Sequence, residues 1–172
     1  AEALGYIGRA QVVMAEARGH KATVHLALND ASGDSAIIEY VDGQPVVHHG
    51  QEYNIMTNDP VYEEQLALLA KQDYSRPSLD LPVPGNVNAV DRFQRAAYFM
   101  SVLPEPGGEC QAVASLLSVV RNCSVPFGAP YGDFGVYNTE YRTVMNLTSC
   151  RYYFELTTSP NQPAVIAMPI AV

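Results

Sequence analysis

At 172 residues, with 48% apolar and 16% charged side chains, the chain is long enough to bury one sizeable core and too apolar for disorder. Its formal charge of −8, with ten Lys and Arg scattered along it, excludes the clustered cationic surface that phosphate neutralisation needs, so no nucleic-acid partner is expected. No run approaches the roughly 20 apolar residues of a membrane span, and no basic, apolar leader opens the chain at Ala1, so no membrane partner is expected either.

The first segment, Glu2 to Arg18, has mixed periodicity interrupted by Gly5 and Gly8, and reads as a frayed helix followed by a short strand at Gln11 to Met14. From Thr23 the pattern sharpens. Thr23 to Leu28 is a strand, Asn29 to Asp34 a turn, and Ala36 to Val41 a second strand. Asp42-Gly43 is a two-residue signal for a type I′ hairpin turn leading into Pro45 to His49, and a further strand is predicted over Tyr53 to Thr57. Asp59 then reads as the cap of a helix, with Pro60 at its first position, running to Lys71 with Leu66, Leu69 and Ala70 towards a core. Asn58 precedes the cap and has no such duty.

Residues 72 to 87 carry no periodicity, and a loop of that length is often a functional cover. A helix begins near Asn88 with Val90, Phe93, Ala97 and Met100 on one stripe and Asp91, Arg92, Gln94 and Arg95 elsewhere; another, Gln111 to Arg121, places Val113, Leu116, Leu117 and Val120 at helical spacing. After the Gly- and Pro-rich stretch 124 to 137, Thr139 to Leu147 and Arg151 to Leu156 alternate as a hairpin. Strands, helices and strands in segregated runs predict an α+β layered sandwich, and with no repeat or composition break residues 1–172 read as a single domain.

Few groups in this sequence carry chemistry. Cys110, Cys123 and Cys150 are too far apart for a CxxC motif, and Cys110 and Cys123, flanking an apolar helix, read as packing thiols. His20, His25, His48 and His49 form no metal-ligand spacing, so no metal or cofactor is expected; His48 and His49 read as the two faces of an exposed strand. On the residues alone, Arg92 is a solvated arginine or salt-bridge partner, and Asn58 a turn amide bonded to its own backbone or a functional group.

The stretches "LALNDASGDSAIIEYVDGQPVVHHGQEYNIMTNDPVYEEQL", "PGNVNAVDRFQRAAYF" and "SVPFG…EYRTVMNL…RYYFEL", in this order over roughly residues 20 to 157, resemble the choloylglycine hydrolase family, which contains penicillin V acylases and conjugated bile salt hydrolases. The resemblance implies the αββα sandwich of the N-terminal nucleophile hydrolase type and hydrolysis of a linear amide by an N-terminal cysteine thiolate. It places the family's oxyanion asparagine at Asn58, within Thr57-Asn58-Asp59-Pro60, and its site arginine at Arg92, within Asp91-Arg92-Phe93-Gln94-Arg95. Asp59 departs from the small or amide residue of that motif, and residue 1 is alanine, so the chain reads as the C-terminal portion of such an enzyme, its nucleophile lying outside these residues.

The partner that the resemblance implies is a small-molecule amide with a bulky acyl group of the penicillin V, conjugated bile salt or N-acyl homoserine lactone type. Tyr131, Phe134 and Tyr137 and the 72 to 87 loop are candidates for its pocket, or a hydrophobic cover over the sheet. A homo-oligomer, or association with an N-terminal part, and a periplasmic or secreted location are the matching expectations. The alternative is a nonenzymatic half-domain that binds or assembles through an exposed apolar face.

Overall fold

The computed structural model describes residues 25–75, 82–130, 135–157 and 166–169; the expected helix and strand within residues 2 to 18, Tyr131 and Phe134 lie outside them. Three strands open the described chain, β1 (Leu26–Asn29), β2 (Ser35–Val41) and β3 (Gln44–His49), paired antiparallel in the order β1-β2-β3. Asp42 and Gly43 have φ of 51° and 77°, the two positive values a type I′ turn requires, so the β2–β3 hairpin closes as its sequence predicts. Strand alternation sends Ile37 and Glu39 to the same face, and both are buried.

Three helices follow: α1 (Tyr62–Leu69), α2 (Ala89–Ser101) and α3 (Glu109–Asn122). Ile37 packs against Tyr62 of α1 and Phe93 of α2, and Tyr53, Ile55, Met56, Leu66 and Leu69 surround them. This cluster binds the first sheet to two helices. A second, built from Val113 and Leu117 of α3 and Val144 of the next strand, binds one helix to the second sheet, whose order is β4 (Tyr141–Asn146), β5 (Arg151–Leu156), β6 (Ile166–Pro169). The β4–β5 register pairs Tyr141 with Leu156 and Met145 with Tyr152, as the alternation implies. Strand β6 has no counterpart among the elements expected from the sequence.

Two local expectations are corrected. Residues Tyr53 to Thr57 form no strand: their apolar side chains pack into the first cluster, but the Tyr53 carbonyl accepts from Ser35 Oγ at 3.0 Å, its N–H donates to the Gly50 carbonyl at 3.1 Å, and Thr57 is tied by its own Oγ1 to the Ala89 carbonyl at 2.9 Å, so none of the described strands pairs with the segment. Asp59 does not cap α1. The helix starts at Tyr62 with Val61 as an N-cap that makes no side-chain bond, and the carboxylate at its N-terminus comes from the sheet instead: Glu39 Oε2 accepts the Tyr62 N–H at 2.7 Å. A buried anion facing the positive end of a helix is favourable on both hydrogen-bonding and dipole grounds. Glu39→Ala should therefore cost about 2 kcal/mol, by leaving a buried N–H unpaired, and Glu39→Gln, which keeps an acceptor, less; urea unfolding midpoints decide between them.

In the second sheet Glu155 accepts from Arg121 of α3 and, at 2.9 Å, from Arg142 directly across the β4–β5 pair. The Arg121 hydrogen bonds, joined by Arg142 against the opposing effect of burial, hold the Glu155 carboxyl below its ordinary value of 4.5. A value lower in the fold than in the unfolded chain means that the group's stabilisation is complete above the ordinary value and disappears as pH falls through the lowered one. The Tm difference between the protein and its Glu155→Gln variant is thus expected to be full at neutral pH and to shrink as pH falls below the ordinary value and through the lowered one.

Candidate active site

Asn58 lies on the irregular segment between β3 and α1, exposed, with half-buried Thr57 before it. Arg92 lies in the first turn of α2, a helix opened by the Asn88 side chain, whose Oδ1 accepts the Asp91 N–H at 2.8 Å. The two residues are 34 positions apart in sequence and meet in space: Arg92 Nη2 donates to Asn58 Oδ1 at 2.8 Å, while Arg92 Nε donates to the Val87 carbonyl at 3.0 Å. A guanidinium has only donors, so the Asn58 oxygen must face it and the Asn58 NH₂ must point away. Of the two readings of Asn58, the self-bonded turn amide gives way to one held by another side chain.

Arg95, one turn further along α2 and buried, donates through Nη1 to the carbonyls of Pro84 at 2.9 Å and Asn86 at 2.6 Å. The end of the 72 to 87 loop is thereby fixed to the helix that carries Arg92, and its described residues are absent from the cleft wall. Gln94 and Arg95, placed away from the core stripe by sequence, are both buried, because their polar ends are occupied by Tyr74 and by the loop carbonyls.

Asn58 and Arg92 form part of the wall of a cleft of about 390 Å³, completed by Val125 and residues Val136 to Tyr141. Val125 and Thr139 brace this wall by exchanging bonds, Val125 N–H to Thr139 Oγ1 at 2.9 Å and Thr139 N–H to the Val125 carbonyl at 3.0 Å. Tyr137, 69% exposed, and Tyr141 line it, and Tyr137 is the expected aromatic that falls among the described residues. Thr139 had no sequence signal beyond its place in a hairpin, and Glu140 and Tyr141 none beyond that and the family-like stretch they open. Glu140 accepts from Asn138 Nδ2 at 3.2 Å.

No cysteine among the described residues lines this cleft. Cys123 Sγ lies against the Arg92 carbonyl at 3.6 Å, and burial pushes its thiol up, against the opposing pull of Arg95 and Arg92. Cys110 is exposed, which corrects its reading as a packing thiol, and Cys150 is half-buried at the Leu147 carbonyl. His48 and His49 fall on opposite faces of β3 as expected, but one face is not exposed: His49 is exposed against Asp34 at 2.8 Å, while His48 is buried against the rings of Tyr53 and Tyr62. Burial pushes the Tyr62 hydroxyl up to about 12, so it stays neutral below strongly alkaline pH.

The family model for linear amide C–N hydrolases, choloylglycine hydrolase family, matches residues 1–168. The chain belongs to that family. It is 41% identical over 165 residues to a penicillin V acylase of Pectobacterium atrosepticum, covering 87% of this chain and 43% of the relative. The structure of penicillin V acylase from Agrobacterium tumefaciens superposes with a TM-score of 0.72 at 38% identity, over 93% of this chain and 49% of that one. A conjugated bile acid hydrolase variant from Clostridium perfringens, at 16% identity and a TM-score of 0.66 over 84% of this chain and 49% of that one, shares the fold. The α+β sandwich of the N-terminal nucleophile hydrolases, expected from the sequence, is the fold of this choloylglycine hydrolase chain. The chain spans about half the length of these relatives.

Proposed function

We propose that this protein hydrolyses a linear carbon–nitrogen amide bond, with Asn58 as an oxyanion donor and Arg92 as the residue that orients it. The observation that supports this most is the 2.8 Å bond from Arg92 Nη2 to Asn58 Oδ1 at the edge of an open cleft. It commits the amide oxygen to the guanidinium and leaves the N–H groups as preset donors. A donor fixed before reaction stabilises developing negative charge without reorganising, which is how such groups lower barriers.

In this mechanism the thiolate of an N-terminal cysteine, supplied outside the described residues, attacks the amide carbonyl carbon. The carbonyl π electrons move onto oxygen, and the Asn58 N–H groups and the Arg92 charge stabilise that oxyanion. Collapse restores the carbonyl, expels the amine with a proton from the cysteine's α-ammonium group, and leaves a thioester that water hydrolyses. No cofactor enters.

For the substrate, we propose an acyl amide with a bulky apolar or aromatic acyl group, of the penicillin V, conjugated bile salt or N-acyl homoserine lactone type. Tyr137 and Tyr141 on the cleft wall suit it, and penicillin V is the first choice because the more identical relatives are penicillin V acylases. The test is hydrolysis by the complete protein of penicillin V, glycocholate and an N-acyl homoserine lactone, followed by release of the free amine. Turnover of penicillin V above the other two supports the assignment; turnover of none of the three rejects it.

A further inference from the structure

The geometry points to Gln65 as the positioning residue of this site: its buried amide clasps the chain on both sides of Asn58 and ties that turn to the helix bearing Arg92. The inference rests on the role of Asn58 proposed above, and concerns a residue with no place in the reaction itself.

Gln65 is 1% exposed, among the most completely buried side chains of the described residues. A glutamine in the core beside Tyr62 and Leu66 is costly unless its amide is occupied, because an unpaired buried polar group forfeits its hydration. Its Nε2 makes two bonds, to Thr57 Oγ1 at 3.1 Å and to the Asp59 carbonyl at 2.5 Å. A carbonyl can only accept, so the NH₂ end must face Asp59 and the orientation of the amide is fixed. Gln65 Oε1 is then left buried without a hydrogen-bond partner, so only the donor end of the amide is used.

Those two contacts fall on the residue before Asn58 and the residue after it. Thr57 Oγ1, having accepted from Gln65, donates to the Ala89 carbonyl at 2.9 Å, at the first residue of α2. The chain of bonds therefore runs from α1 through the Asn58 turn into α2, and Arg92 stands one turn further along that helix. With its neighbours fixed on either side, Asn58 keeps only its side-chain torsions, and Arg92 takes those. Leucine at 65 would fill similar volume and remove the unpaired oxygen, so packing and burial alone favour it over glutamine.

The experiment compares Gln65→Leu, Asn58→Ala and the double variant in the complete protein, with penicillin V as substrate and kcat, KM and Tm as readouts. Gln65→Leu is expected to lower kcat about tenfold while KM stays within twofold and Tm is held, since a catalytic group displaced by a fraction of an ångström loses rate before it loses binding. In the Asn58→Ala background the same substitution should add less than a twofold loss. Thr57→Val, which removes the Gln65–Thr57 bond from its other end together with the bond to the Ala89 carbonyl, breaks the same link from α1 to α2 and tests the role where Gln65→Leu fails to fold. An unchanged kcat in Gln65→Leu, or an equal loss in both backgrounds, overturns the positioning role while leaving Asn58 in place. If Asn58→Ala itself costs nothing, the oxyanion assignment falls and the positioning role falls with it.

Discussion

Asn58→Ala in the complete protein is expected to lower kcat for amide hydrolysis by about 10² to 10³, the usual cost of one oxyanion donor, with KM little changed. The selective loss comes from geometry: the Asn58 N–H groups face away from Arg92, and in the proposed mechanism they act on an oxygen that carries charge only after attack. Asn58→Asp should be worse than alanine. Its carboxylate would pair with the Arg92 guanidinium, consume that positive charge and present acceptors where the oxyanion forms. Arg92→Lys tests the orienting half. An ammonium cannot reach the Val87 carbonyl and Asn58 Oδ1 with the planar fork that Nε and Nη2 provide, so kcat should fall on the order of tenfold although the charge is kept. The ranking Asp below Ala below Lys, measured on one substrate, is the signature; an alanine variant within twofold of the parent removes Asn58 from the mechanism.

The largest effect on stability is expected at Phe93. Its ring is 1% exposed, meets Tyr62 edge-on with ring centres 5.8 Å apart, and completes the cluster with Ile37 that joins the first sheet to α1 and α2. Phe93→Ala removes most of a buried ring from the point where three elements meet, and should cost about 3 to 5 kcal/mol. Phe93→Leu, which refills most of that volume, should cost under about 1.5 kcal/mol. Urea midpoints at unchanged m separate the two variants. A Phe93→Ala loss below about 1 kcal/mol would mean that the cluster is not what ties these helices to the sheet.

The elements set by short-range physics were readable in the sequence. Asp42-Gly43 can adopt positive φ cheaply and does; Asn88 carries a side chain suited to an N-cap and opens α2; the alternation over residues 139 to 156 becomes β4 and β5. Reading failed where a distant group took over a local task. Asp59 stood in the right place to cap α1, but Glu39, across from it on β2, supplies the carboxylate. Tyr53 and Ile55 alternate as a strand would, yet the Tyr53 carbonyl is taken by the Ser35 hydroxyl and its N–H by the Gly50 carbonyl.

The same limit governs the site. Asn58 and Arg92 stand out through family resemblance, and nothing in the spacing of residues 34 apart states that a guanidinium will meet that amide. Gln65 left still less trace, because a glutamine in an amphipathic helix reads as a surface residue. Only the two partners of its Nε2, eight and six positions back along the chain, explain why it is in the core.

The arginines of α2 grip the preceding loop in one particular manner: Arg92 and Arg95 hold Val87, Pro84 and Asn86 by their carbonyl oxygens alone. Every amino acid offers the same carbonyl, so the grip is blind to which side chains the loop displays. Selection is then free to rewrite residues 84, 85 and 87 wherever the backbone path survives, Asn86 apart, whose Oδ1 accepts the Val87 N–H at 2.7 Å, and new surface chemistry can be tried beside a cleft whose Asn58 and Arg92 stay where they are. Positions 92 and 95 have no such latitude, since the loop's anchorage is written there.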